Sequence, residues 1–181
     1  MSKILDGTGK GNEAKVDSNN RLHVKAITES DLEAAAEDGN TFSWSNATYN
    51  YTGADTILAV KNTDTSKNLH ITKVLCSGDT ATNVQIHLIT AAYTSAGTEV
   101  TGTNLNGNSN NVANAEGYAD ETGNTQGSLI ANQYIVAGGE SSITDLEGAV
   151  ILGQNHAIGV DFVTVGAAAY VTILGHYEDP A

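Results

Sequence analysis

Five histidines, His23, His70, His87, His156 and His176, are the side chains of this chain best suited to proton transfer or metal ligation. None forms an HxH or HxxxH pair, and Cys76 is the single cysteine, so no zinc-type spacing is present and no metal site is expected. Gly9-Lys10-Gly11-Asn12-Glu13-Ala14 satisfies GxGxxA by letter. No strand pattern precedes it, no helical pattern follows, and the upstream glycine and Ser/Thr of a phosphate loop are missing, so no nucleotide cradle is expected. Asn62-Thr63-Asp64 and Asp120-Glu121-Thr122-Gly123-Asn124 offer oxygen ligands for calcium off the EF-hand spacing, and turn formation accounts for both. A GxSxG nucleophile elbow is absent, and Ser66-Lys67 has no serine three residues before the lysine. The expectation is a protein that is not an enzyme and carries no cofactor.

The aromatic residues Trp44, Tyr49 and Tyr51 are flanked by Asn and Ser, a setting in which ring faces can stack on sugars or on a neighbouring subunit. On an unbroken strand Tyr49 and Tyr51 share a face and Trp44 takes the other. Core and interface packing is therefore the first expectation for them. Together with Asn104 and Asn106 they are the candidate oligomer or glycan contacts. The sequons at Asn46 and Asn50 carry no meaning without a secretory route.

These residues must be positioned by short elements. Ser30-Asp31-Leu32-Glu33 has the form of a capping box, Ala34 to Ala36 favour helix, and Gly39 can supply a left-handed stop, so a helix is predicted over 31–38. Strands are expected at 21–28, within 42–51, and at 56–60, 69–76, 83–89, 149–152, 157–165 and 169–177. Turns at 153–155 and 166–168 separate the last three. In the strand at 83–89, Val84, Ile86 and Leu88 share one face, and Gln85 and His87 face water. Thr101 to Gly127 holds seven asparagines and five glycines, and reads as a long loop that is either mobile or packed against a neighbour. Many short strands, one short helix and a single proline indicate an all-β antiparallel sandwich, jelly-roll-like, with an extended N-terminal arm. The expected organisation is an arm at 1–28, a short helical linker at 29–40 and a β-sandwich domain at 41–181.

The formal charge of −13 is unevenly placed. Residues 1–25 balance at +2, residues 26–73 at −4, and residues 74–181 at −11 with no lysine or arginine at all. An acidic body of this kind argues against nucleic acid or an anionic membrane as partner, and a basic segment beside it reads as an interaction tail. The sequence contains no apolar run of membrane-spanning length, and the start MSKILDGTGKGN lacks a secretion signal's apolar region. With one cysteine, synthesis in a reducing compartment is expected.

The opening of the chain, with Ala14-Lys15-Val16-Asp17-Ser18-Asn19-Asn20-Arg21-Leu22, resembles the leader of small structural proteins of tailed bacteriophages. Asn68-Leu69-His70-Ile71-Thr72-Lys73-Val74, Gly97-Thr98-Glu99-Val100, Asn104-Leu105-Asn106 and the closing Ala169 to Asp179 are similar in style and order to the β-sandwich bodies that follow such leaders. The resemblance implies a virion structural protein, a capsid decoration or cement protein. It would be made in the host bacterial cytoplasm and sit on the outer capsid surface as an oligomer, with a trimer favoured. Its partner would be the major capsid protein, gripped by an arm carrying Lys3, Lys10, Lys15, Arg21 and Lys25. Fully extended, such an arm of about 28 residues reaches roughly 90 Å, enough to cross onto a neighbouring subunit. The alternative within the same resemblance is a tail- or fibre-associated sandwich that binds host-surface carbohydrate.

Overall fold

The computed structural model describes residues 30–46, 56–89, 97–121, 124–164 and 166–180. Lys3, Lys10, Lys15, Arg21 and Lys25, the strand expected at 21–28, and Tyr49 and Tyr51 lie outside these residues. In chain order the elements are α1 (Asp31–Glu37), β1 (Thr41–Ser45), β2 (Thr56–Asn62), β3 (Asn68–Gly78), β4 (Thr82–Ile89), β5 (Thr98–Glu99), β6 (Thr103–Asn104), β7 (Ala115–Glu121), β8 (Gln126–Ile135), β9 (Ser142–Leu152), β10 (Ala157–Phe162) and β11 (Ala169–Glu178).

The strands form two antiparallel sheets, ordered β6-β1-β11-β3-β9 and β5-β7-β2-β10-β4-β8. Setting aside β5, β6 and β7 leaves β1-β11-β3-β9 facing β2-β10-β4-β8, the strand order of a jelly roll. The segment between β4 and β8 is an insertion, and its three strands extend the sheets beyond β1 and β2. Between the sheets lies one core, with Phe42, Trp44, Leu58, Val60, Leu69, Ile71, Val84, Ile86, Val160, Phe162 and Ile173. The strands β2 and β10 have neighbours on either side and buried residues on both faces, which is why Thr56 to Val60 reads as a run rather than an alternation.

The helix ends as its sequence dictates. Gly39 takes φ 71°, its N–H reaches the Ala36 carbonyl at 3.1 Å, and the Asn40 N–H reaches the Ala35 carbonyl at 2.7 Å, a Schellman ending. Ala35 is buried and α1 contacts β1 and β11, so α1 is part of the compact unit that begins at Asp31.

Two regions depart from the sequence expectation. The long loop expected at 101–127 contains β6, β7 and the start of β8. Farther on, β8 and residues 142–148 of β9 are strands where no strand was expected, and both ladders carry an irregularity. The β8 register shifts on both sides of His87, and residues 146–149 of β9 oppose Thr72 alone on β3. Glu147 and Gly148 form the bulge with φ 48° and 78°.

Candidate functional site

Most of the residues singled out by type are committed to internal structure. Trp44 is fully buried, its indole tilted against Phe42 at a centroid distance of 6.1 Å. Gly102 and Gly117 of the insertion lie so close to it that a Cβ at Gly102 would stand 2.7 Å from Nε1 and one at Gly117 would stand 3.0 Å from Cδ1. Glycine is required there because the insertion backbone closes over the ring. Trp44 is thus a core residue with no face left for a sugar or a subunit, which corrects its candidacy as a contact.

Asn104 and Asn106, both half-buried, are engaged in hydrogen bonds within the chain. Asn104 Nδ2 donates to the carbonyls of Gly39 at 2.8 Å and Asn111 at 2.9 Å, and its Oδ1 accepts from the Asn106 N–H at 2.8 Å. Asn106 Nδ2 donates to Ala36 at 3.0 Å and Glu37 at 3.1 Å, and its Oδ1 accepts from Asn108. Asn111 adds a bond to Asp38 at 3.1 Å. Helix ends leave carbonyls without intrahelical partners, and here the asparagines of the insertion supply the donors. Their hydrogen-bonding capacity is used within the chain.

The oxygen cluster at Asn62 and Asp64 is likewise a turn. Asn62 is buried, with Nδ2 on the carbonyls of Lys67 and Leu152 and Oδ1 accepting from the Asp64 N–H. Asp64 accepts from Ser66 and Lys67 N–H groups at 2.7 and 2.9 Å and from Asn114 Nδ2 at 2.8 Å. Desolvation works to raise its carboxyl pKa, but these donors outweigh it and hold the group at about 2. Asn46, the first sequon residue, is buried with Nδ2 on the Ala169 carbonyl.

His87 was expected on a wet face, and it is buried. Its Nε2 lies 3.6 Å from Asp161 Oδ2 on neighbouring β10 and 3.3 Å from Gln85 Oε1, while Gln126 Nε2 donates to the same Asp161 oxygen. A buried carboxylate needs such donors, and the pair is held between strands rather than opened to a cleft. Cys76 is a packed core thiol whose pKa burial pushes up to about 12, against a smaller lowering by Gln133. Burial first, and then the Asp64 charge, also raise the Tyr177 phenol, whose hydroxyl is buried without a hydrogen-bond partner.

A different trio forms the candidate site, on the outward face of the five-stranded sheet. His70 on β3 and His176 on β11 are directly opposite in the antiparallel register, and their rings stack with centroids 5.3 Å apart at 30°. Glu178 lies two residues beyond His176, hence on the same face. Its Oε1 is 2.6 Å from His176 Nε2 and its Oε2 is 3.6 Å from His70 Nε2. His176 is 4% exposed, whereas His70 and Glu178 are partly open to solvent. The Gly148 bulge of β9 passes over the rings, where a Cβ would stand 3.7 Å from His176 Cε1. His176 Nδ1 is buried without a hydrogen-bond partner, an expense of about 1–3 kcal/mol that the sheet tolerates while Nε2 is turned to Glu178. Chemically the trio can share a proton or ligate a cation.

Sequence reasoning passed over this trio because 106 positions separate His70 from His176. The alternation of β11 already placed His176 and Glu178 on one face. Only the β3–β11 register, shifted by the irregularity between Leu174 and Gly175, brings in His70.

No protein-family model, curated protein or solved structure matches this chain.

Proposed function

We propose that this chain is a structural virion protein, a decoration or cement protein that binds the outer surface of a phage capsid and stabilises it. The observation that carries the reading is the pairing of a basic segment with a strongly acidic jelly-roll unit whose polar side chains are largely spent on its own turns and helix end. Such a unit is suited to a mechanical role. Residues 1–28, with Lys3, Lys10, Lys15, Arg21 and Lys25, anchor to the major capsid protein, and the acidic unit faces solvent, away from packaged DNA.

The same reading assigns oligomerisation, with a trimer favoured, to the β8–β9 side. Each of these strands closes one sheet without a further partner among the described residues. Leu129, Tyr134, Ile143 and Ile151 are exposed along them, with Val136 just after β8, and unpaired edges with apolar side chains favour pairing with another chain. Deleting residues 1–28 tests the anchoring. Loss of attachment to undecorated capsids by an otherwise soluble oligomer is the expected result, and unchanged attachment contradicts it.

A further inference from the structure

We infer that His70, His176 and Glu178 form a binding site for a divalent transition metal of the zinc type, which ties β11 to β3. This is independent of the virion reading. The three ligand atoms already lie within 4.8 Å of one another. Bonds of about 2.0–2.1 Å to imidazole and about 2.0–2.2 Å to carboxylate bring tetrahedral ligand atoms to roughly 3.3 Å apart, so side-chain rotations on a fixed backbone close the set.

The donor types choose the metal. Two imidazoles and one carboxylate suit zinc, cobalt or nickel, whereas calcium and magnesium require oxygen ligands. Three protein ligands leave a fourth position for water, and the partly exposed His70 and Glu178 give it a way in. Gly148 is the residue passing above the rings, and having no side chain it places no Cβ over them, where one would stand 3.7 Å from His176 Cε1. The formal charge of −13 draws cations toward this face, and Glu178 contributes a charge directly to the site.

The sheet supplies the rigidity such a site needs. His70 and His176 are held at one ladder rung, and His176 and Glu178 are fixed by the two-residue period of β11. Bound metal would therefore join β11 to β3 across a rung.

The test is calorimetric titration of Zn²⁺ into the chelator-treated full chain, beside His70→Asn and Glu178→Gln, with His156→Asn as control. The two site variants change partly exposed side chains, and circular dichroism checks that they remain folded. The inference expects one Zn²⁺ per chain, at least tenfold weaker binding in each site variant, and no change in the control. It also expects Co²⁺ to give the visible absorption of a tetrahedral site in the parent and not in the variants. Absence of saturable Zn²⁺ binding, or affinity retained in either site variant, overturns it.

Discussion

Asn106, seventy positions along the chain from Ala36, donates its amide to that residue's carbonyl at 3.0 Å and so closes the end of α1 from outside the helix. The second amide hydrogen goes to Glu37. The insertion is thereby tied to the first element of the compact unit. Replacing Asn106 by Ala should cost about 1–2 kcal/mol, since the Glu37 carbonyl loses its side-chain donor and the Ala36 carbonyl is left with the Gly39 N–H alone. Asn106→Asp should cost at least as much, because a carboxylate would face those carbonyls and the negative end of the helix. Denaturant unfolding measures both, and hydrogen exchange should show faster opening of 31–38.

The Trp44 pocket makes a separate prediction. A Cβ at Gly117 would overlap the Val100 carbonyl oxygen and press on the indole. Gly117→Ala should therefore destabilise the protein by about 1–3 kcal/mol through overpacking. Gly107, with open space around the same construction, is the comparison position. A melt in which both substitutions behave alike would contradict the packing account of the insertion.

Asp64 predicts a pH dependence of definite sign. Its pKa is lowered from 3.8 to about 2, where burial pulls upward and the bonds from Asn114, Ser66 and Lys67 pull downward more strongly. Between these values the unfolded chain binds the proton more readily than the folded one. The stabilisation is thus complete above about pH 4 and is lost as the pH falls toward 2. The stability difference between the parent and Asp64→Asn should shrink across that window. Urea midpoints at pH 5, 3 and 2 report it, and a constant difference would contradict the assignment.

Cys76 should be chemically silent in the folded protein. Its thiol is buried and held at about 12, so little thiolate exists near neutrality and reagents cannot reach it. Labelling by a disulfide reagent should proceed only at the rate of opening and become immediate in denaturant. Rapid native labelling would mean that the core between the sheets is more open than described.

Much of the sandwich was legible because local rules and tertiary packing agree there. Gly39 is a stop in sequence and in structure, and the alternation around Val84, Ile158 and Val171 names residues that are buried. The insertion misled because Asn and Gly suggest a loop, whereas here Asn supplies donors to a distant helix end and Gly makes room for Trp44. His87 misled because alternation reports a face and not its neighbours in the sheet, and Asp161 on adjacent β10 pairs with it. The His70–His176–Glu178 trio needed a strand register that no local pattern encodes.

The central claim concerns the virion, and counting tests it most directly. Quantitative protein staining of purified particles gives the number of copies of this chain against the major capsid protein. A fixed, large ratio to capsid subunits is the predicted result. A handful of copies per particle would instead place the chain at the portal, tail or a fibre, and either that or complete absence from particles would contradict the decoration account.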